Sequence, residues 1–161
     1  AGEIGHMVVD LSDGSPCACG RAGCVENVVS GIGFTQQAQL HGMDELMTQA
    51  GRRADVCRLF DRAEEGDAVC REIMEYGARA LACVIMNLVR TTDPDTIIYG
   101  GGILGDERFL HMVERALEPE TMRGVTRGMV ASSFNPQYAG LLGAVSLGMV
   151  KARTLRKGAT A

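Results

Sequence analysis

Apolar residues recur every three or four positions over several stretches of this chain, a spacing that predicts amphipathic helices. The longest such stretch follows Asp67, a residue type that caps helix N-termini, and extends to about Arg90. Its apolar residues fall on one face of the predicted helix: Val69, Ile73, Ala80, Leu81, Val84 and Leu88. Further helices are predicted over residues 25–40, 43–49, 54–65 and 138–153, and over a stretch that Asp106 caps.

Short apolar runs that lack the helical spacing predict strands over residues 6–11, 96–99 and 128–134. The stretch 128–150 carries no charge, but polar residues interrupt it, so its unbroken apolar part is too short to cross a membrane. We expect a buried strand followed by a buried helix there. Helices and strands alternate in the second half of the chain, which favours an α/β layer with a parallel sheet.

Composition narrows the class of protein. The chain has 161 residues, about one domain, and 46 % of them are hydrophobic but only 4 % aromatic. Aliphatic side chains and methionines must therefore fill most of the core. The formal net charge of −4 argues against a nucleic-acid surface, which needs a basic patch. No signal peptide is recognisable, so we expect a cytoplasmic protein with no membrane association.

Half of the six cysteines, Cys17, Cys19 and Cys24, fall within one short segment. A disulfide framework suits small secreted proteins, and buried thiols would belong on a strand or helix rather than in a glycine-rich loop. Loop cysteines that converge favour a metal, and His6 on the preceding segment can supply a fourth ligand. Cys₃His is a tetrahedral zinc set with no open position, so the predicted zinc is structural. The remaining cysteines are expected to fill the core: Cys57, Cys70 and Cys83.

Two acidic residues, Glu3 and Glu26, stand on either side of the cysteine segment. An isolated glutamate is usually a solvated surface charge. A carboxylate held beside a rigid loop can also accept strong hydrogen bonds from hydroxyl groups. Both interpretations remain open from the pattern alone.

The pattern "GEIGH…C-x-C-G-x-x-G-C-x-E" resembles the zinc-binding signature of the ROK family of sugar kinases and sugar-responsive repressors. The later "DTIIYGGGIL" is similar to that family's strand and glycine turn near the nucleotide. The residues that carry the signature are Gly2, Glu3, Gly5, His6, Cys17, Cys19, Gly20, Gly23, Cys24 and Glu26.

This resemblance implies a ribonuclease-H-like (actin-like ATPase) fold and ATP-dependent phosphorylation of a hexose, most like that of bacterial glucokinases, with ATP and Mg²⁺ in the full-length protein. It implies that Glu3, His6 and Glu26 contact sugar hydroxyls and that His6 also holds the zinc ion. It further implies a nucleotide-binding turn, a homodimer, and that residues 1–161 are the C-terminal portion of such a protein. The glycines of that turn are Gly100, Gly101 and Gly102.

The family's Asp-x-Gly-Gly-Thr phosphate loop and its Asn-Asp catalytic pair do not occur in this sequence. No catalytic residue is therefore assigned, and the chain alone is expected to be inactive, since phosphoryl transfer needs phosphate, metal and nucleophile positioned together. A sugar-sensing domain of a ROK-type repressor is the alternative. A helix-turn-helix upstream would favour that alternative and would make nucleic acid a partner.

The glycine turn also spells G-x-G-x-x-G from Gly100 to Gly105, a fingerprint of dinucleotide-binding proteins. That assignment also needs an acidic residue at the tip of the next strand, and Glu120, at the required distance, lies near a predicted helix end. A tight strand-to-helix turn and a platform for the adenosine of ATP remain the two interpretations.

Overall fold

Seven α-helices, two strands and two short 3-10 helices are present in the part of the chain that the computed structural model describes, residues 2–12, 14–47 and 55–158. In chain order the elements are a 3-10 helix Ile4–His6, α1 (Glu26–Val29), α2 (Gly31–Leu40), a 3-10 helix Asp44–Leu46, α3 (Val56–Glu64), α4 (Ala68–Thr92), β1 (Ile97–Tyr99), α5 (Glu107–Arg115), α6 (Pro119–Met122), β2 (Met129–Ala131) and α7 (Pro136–Gly158).

The long helix α4 is the element around which the others pack, since α1, α2, α3, α5 and α6 all contact it. It begins where the sequence predicts, because the Asp67 carboxylate accepts hydrogen bonds from the backbone N–H groups of Val69 and Cys70 at 3.0 and 3.1 Å. It ends at Asp93, which adopts the left-handed conformation with φ of 46°. The predicted apolar face is confirmed: Ile73, Ala80 and Val84 are buried.

Three phenylalanines from three different helices form the centre of the core. Phe34, Phe60 and Phe109 are at most 1 % exposed, and their ring centroids lie 5.6 to 5.8 Å apart in one stacked and two edge-to-face pairs. Gly77 of α4 makes room for them, because a Cβ atom there would lie 3.3 Å from the Phe34 ring. This cluster holds α2, α3 and α5 against α4.

The strands β1 and β2 form a parallel pair in which Ile97 lies opposite Met129, as expected for an α/β layer. The expectation that they are buried is wrong. Ile98 is 72 % exposed and Val130 is 46 % exposed. Alternating residues point to opposite faces of a strand, and helices of the described chain cover only one face of this pair.

The final helix α7 is also exposed, contrary to the expectation of a buried helix. Its large apolar side chains between Tyr138 and Val150 are 47 to 73 % exposed. An apolar run predicts that a face avoids water, but burial needs a packing partner, and the described residues supply none over this face. No described helix combines the length and hydropathy needed to cross a membrane.

Three further expectations are corrected. Residues 6–11 do not form a strand, because only Val8 pairs there, in a single antiparallel bridge to Cys24. The helix predicted over 25–40 is broken at Ser30, whose extended backbone and hydroxyl start α2 afresh by accepting from the Gly33 N–H. The helix predicted over 43–49 is only the 3-10 helix Asp44–Leu46, and Thr48 and Gln49 lie outside the described residues.

The cysteines outside the loop segment divide into two groups. Cys70 is fully buried in the core, as expected. Cys57 and Cys83 are exposed, so the expectation that they fill the core is wrong. Both sit on the outward sides of α3 and α4, where a small residue needs no packing partner.

We predict that Phe34→Ala destabilises the protein strongly, because it removes a ring that contacts two other aromatic side chains and leaves a cavity. The expected loss in the free energy of unfolding is about 3–5 kcal/mol, measured by urea denaturation. Phe134→Ala is the matched control, since Phe134 is 60 % exposed and its loss should cost no more than about 0.5 kcal/mol. Equal losses in the two variants would contradict the assignment of the core.

Candidate functional site

The cysteine segment is a compact loop closed by two antiparallel bridges, one between Val8 and Cys24 and one between Pro16 and Ala22. Backbone hydrogen bonds hold its base, from Val9 N–H to the Gly23 carbonyl at 2.9 Å and from Val25 N–H to the Met7 carbonyl at 2.9 Å. At its tip, Cys17 N–H donates to the Arg21 carbonyl at 2.7 Å. The backbone therefore returns on itself between the cysteines.

Two glycines make this closure possible. Gly23 has φ of +72°, and a Cβ atom there would lie 1.9 Å from the Asp10 carbonyl oxygen. A Cβ atom on Gly14 would lie 2.4 Å from the Gly23 Cα atom. Real atoms cannot approach so closely, so only glycine fits at either position. Gly23 belongs to the signature identified in the sequence, whereas Gly14 does not.

The loop brings together all four residues predicted to bind metal. The ligand atoms of His6, Cys17, Cys19 and Cys24 all lie within 4.8 Å of one another. His6 Nδ1 lies 3.5 Å from Cys17 Sγ, and Cys19 Sγ lies 3.6 Å from Cys24 Sγ.

The two shortest of these separations are close to those of a tetrahedral zinc site. Zinc–sulfur and zinc–nitrogen bonds of about 2.3 and 2.0–2.1 Å place sulfur atoms about 3.8 Å apart and nitrogen about 3.6 Å from sulfur. The closest pairs in the loop match both values within a few tenths of an ångström. Three sulfurs and an imidazole nitrogen are a donor set that suits zinc, whereas calcium and magnesium bind oxygen ligands.

The three thiols differ in environment. Cys24 is fully buried and Cys17 is 9 % exposed, whereas Cys19 is exposed. Burial raises the pKa of the Cys24 thiol to about 11. A hydrogen bond from the Arg21 backbone lowers the pKa of Cys19. The cluster is thus anchored on one side in the protein interior and reaches solvent on the other.

Glu26 lies directly beside this cluster, whereas Glu3 is placed less closely. The Oε2 atom of Glu26 is 3.4 Å from His6 Nδ1, and a Cβ atom on Gly5 would contact the Glu26 side chain at 3.5 Å. Glu3 precedes the 3-10 helix, where its carbonyl accepts from the His6 N–H at 3.1 Å, and its side chain is exposed. The structure therefore groups His6 with Glu26, and it connects Glu3 to His6 through the backbone.

A cleft of about 370 Å³ connects Glu26 with the glycine turn predicted to bind nucleotide. Gly100, Gly101 and Gly102 line one side of it, and Ile4, Gly5 and Glu26 line the other. The cleft also has an apolar lining, together with Ser30 and Gly31. The apolar lining residues are Val25, Val29, Leu81, Ile103 and Leu104. Glu3 and His6 are not among the residues that line this cleft.

The glycine turn follows β1 closely and leaves its backbone accessible. Gly101 has φ of +106°, and its carbonyl accepts from the Gly105 N–H at 3.1 Å. A Cβ atom on Gly100 would lie 3.3 Å from the Cβ atom of Ser132, so Gly100 lets the turn lie close to the end of β2. Around Gly101 and Gly102 there is open space.

Sequence reasoning missed two polar residues that hold the loop. The buried Asn27 donates from Nδ2 to the Ser15 and Pro16 carbonyls at 3.0 and 2.9 Å. The Tyr76 hydroxyl donates to Asp10 Oδ2 at 3.4 Å and so connects α4 to the loop. Neither contact has a local sequence signal, because the partners are 11 or more positions apart in the chain.

Comparison with known proteins identifies relatives of this chain. The family model described as "ROK family" matches residues 1–151. N-acetylmannosamine kinase from Escherichia coli is 37 % identical over 147 residues, which cover 91 % of this chain and 46 % of that protein. The chain spans about half the length of the curated relatives it matches.

Solved structures give the same result. A ROK hexokinase from Thermus thermophilus matches with a TM-score of 0.70 and 26 % identity over 89 % of this chain and 45 % of that one. A ROK family glucokinase from Streptomyces griseus, solved with glucose and AMPPNP, matches with a TM-score of 0.62 and 25 % identity over 90 % and 50 %. A ROK family transcriptional regulator matches at 19 % identity with a TM-score of 0.58 over 83 % of this chain and 35 % of that one, a likeness of fold alone.

We predict that Gly23→Ala disrupts the loop far more than Gly20→Ala. Both glycines have positive φ, a conformation that is unfavourable for alanine, so both variants should lose about 1–2 kcal/mol in the free energy of unfolding. Only at position 23 does the added methyl overlap another atom, since a Cβ on Gly20 meets nothing within 4 Å. Urea denaturation should show a clearly larger loss of stability for Gly23→Ala, and similar losses would contradict the described closure.

Proposed function

Because this chain belongs to the ROK family, we propose that it is part of an ATP-dependent hexose kinase, in which a structural zinc ion fixes the loop that binds the sugar. One observation carries the proposal. Three sulfur atoms and one imidazole nitrogen converge within 4.8 Å, and the carboxylate of Glu26 lies 3.4 Å from the nitrogen. A metal bound at that point would fix the loop beside which Glu26 lies.

In this proposal His6, Cys17, Cys19 and Cys24 hold the zinc ion. With four protein ligands the ion has no open position, so it supplies no hydroxide and contributes rigidity only. Its binding energy would be folding energy for the loop. The buried Cys24 and the bridge from that residue to Val8 connect this rigidity to the protein interior.

The sugar would bind beside this cluster through Glu3, His6 and Glu26. A carboxylate accepts hydrogen bonds from adjacent hydroxyl groups, and a ring nitrogen can bind another. Glu26 has side-chain exposure of 42 % and borders the cleft, so a ligand can reach it. These residues would hold and orient the hexose, and the proposal assigns no catalytic base among them.

ATP would bind at the glycine turn. The exposed backbone of Gly101 and Gly102 and the apolar lining of the cleft suit the flat adenine ring of an adenosine. In the full-length protein Mg²⁺ would accompany the ATP phosphates. We propose for that protein the ribonuclease-H-like (actin-like ATPase) fold, with this chain as its C-terminal portion, and the homodimer stays a prediction.

The relatives support the sugar-kinase activity but differ in substrate. The matched proteins include an N-acetylmannosamine kinase and a glucokinase crystallised with glucose. We propose glucose or a related hexose as the substrate class. The second candidate, a sugar-sensing repressor domain, is supported by the fold of the matched transcriptional regulator. A helix-turn-helix in the same gene would favour it.

We predict one zinc ion per chain when the protein is made with ample zinc, measured by atomic emission. Cys19→Ala should lose the metal because a tetrahedral site with three ligands binds far more weakly. Cys57→Ala is the matched control, since Cys57 is exposed and distant in sequence, and it should keep one zinc ion. Absence of zinc from the parent protein, or a Cys17–Cys24 disulfide in it, would refute the metal site.

We predict that Glu26→Gln, made in the full-length kinase, lowers sugar affinity about ten- to a hundredfold. The amide keeps the size of the side chain but weakens one charged hydrogen bond worth about 1.5–3 kcal/mol. Calorimetry measures the affinity, and metal analysis should still give one zinc ion. Glu72→Gln, on the exposed side of α4, is the control and should bind sugar normally.

Cys19→Ala in the same full-length protein should lose zinc and sugar binding together. The loss is expected because His6 and Glu26 would no longer be held in place. A variant that lost zinc and still bound sugar with unchanged affinity would mean that the metal does not shape the sugar site.

We predict that the 161-residue chain by itself does not phosphorylate sugars, because its sequence holds neither the phosphate loop nor the catalytic pair. A coupled assay with glucose, N-acetylmannosamine and ATP measures this. Turnover that a substitution within the chain abolishes would reveal a catalytic group that the proposal lacks.

A further inference from the structure

Asn27 is a buried polar residue beside the cysteine loop and has no role in the ligand sets above. It is 7 % exposed and lies in α1, directly after Glu26 and three positions after Cys24. Its backbone N–H donates to the Cys24 carbonyl at 3.0 Å. A buried amide requires hydrogen-bond partners, and the identity of those partners indicates what the residue does.

Both side-chain hydrogen bonds of Asn27 go to one short segment. The Nδ2 group donates to the Ser15 carbonyl at 3.0 Å and to the Pro16 carbonyl at 2.9 Å. With two carbonyl acceptors in reach, only the amide nitrogen can face them, so the orientation of the side chain is fixed. The two acceptors belong to the residues that immediately precede Cys17.

The same residue therefore connects three parts of the proposed site. Its helix carries Glu26, its backbone contacts Cys24, and its side chain holds the segment that delivers Cys17. The bridge between Pro16 and Ala22 lies in that segment as well. Without the two amide hydrogen bonds, the Cys17 side of the loop is fixed to α1 less firmly than the Cys24 side.

We propose that Asn27 is a positioning residue that orders the Cys17 side of the loop before any metal binds, and thereby sets the zinc affinity and the placement of Glu26. Only the part of this inference that concerns zinc affinity and the placement of Glu26 rests on the proposed function. The ordering of the loop is a property of the metal-free chain and can be measured there.

The first experiment uses metal-free protein and brief pulses of N-ethylmaleimide, with the modification of each cysteine followed by mass spectrometry. In the parent chain the exposed Cys19, Cys57 and Cys83 should react quickly, and the buried Cys17, Cys24 and Cys70 slowly. Asn27→Leu keeps the number and branching of the side-chain heavy atoms, in a larger volume, and removes both N–H donors. Cys17 should then react about tenfold faster, which corresponds to the loss of one or two hydrogen bonds.

Cys70 reports whether the whole protein has unfolded, since it is buried in the core far from the loop in sequence. A selective increase at Cys17 with Cys70 unchanged supports the proposal. No increase at Cys17 overturns it. If Cys17 and Cys70 increase together, Asn27→Ser, which keeps one donor in a smaller side chain, decides: a selective increase supports the proposal and a parallel one overturns it.

The matched control is Asn87→Leu. Asn87 is an exposed asparagine on α4 whose amide contacts Cys83 Sγ at 3.7 Å. It should leave the reactivities of Cys17 and Cys70 at parent values. An increase at Cys17 of equal size in this control would show that the effect is not specific to position 27 and would overturn the proposal.

The second experiment measures zinc affinity by competition with a chromophoric chelator. Removal of a residue that orients metal ligands typically weakens metal binding about 10–100-fold. Asn27→Leu should show a loss of that size and Asn87→Leu none. Unchanged affinity in Asn27→Leu would overturn the link to the metal. If the parent chain binds no zinc, the proposed function fails, and the alkylation rates alone decide whether Asn27 orders the loop.

Discussion

The close approach of the Gly23 backbone to the Asp10 carbonyl is the constraint on which the candidate site depends. A side chain at position 23 would overlap that oxygen, so the loop can close only with glycine there. Closure places Cys24 opposite Val8 and next to the His6 carbonyl, to which its thiol donates at 3.6 Å. The convergence of the four ligand atoms follows from this backbone geometry, before any metal is considered.

The loop is in turn fixed to the core. Val25 and Val28 pack with Ala80 and Val84 of α4 in a small apolar cluster beside the main one. Tyr76 of the same helix donates to Asp10. Because α4 also contacts the phenylalanine cluster, the position of Glu26 depends on the same helix that organises the rest of the described chain. The proposed zinc would add rigidity at one end of this arrangement.

Much of this could be predicted from the sequence, and what could not has a physical explanation. The convergence of His6, Cys17, Cys19 and Cys24 was predictable because metal sites use few residue types at short spacings. The cap of α4 at Asp67 was predictable for a similar local reason. The hydrogen bonds from Asn27 to the Ser15 and Pro16 carbonyls could not be predicted, because they depend on the folded path of the loop.

Errors in the predicted elements have one cause. Hydrophobic spacing reports which residues avoid water, but it does not say whether a neighbour is present or where a helix breaks. Ser30 interrupts an otherwise helical pattern through a hydrogen bond that starts α2, and no periodicity reveals it. The exposed α7, Ile98 and Val130 carry apolar side chains whose packing partner is not among the described residues.

X-ray absorption at the zinc edge tests whether the loop forms a closed Cys₃His site. A closed site should show three sulfur neighbours at about 2.3 Å and one nitrogen neighbour at about 2.0–2.1 Å. In His6→Ala the nitrogen contribution should change while the three sulfurs remain. A parent spectrum with two or fewer sulfur neighbours, or with five or six oxygen neighbours, would contradict the closed site.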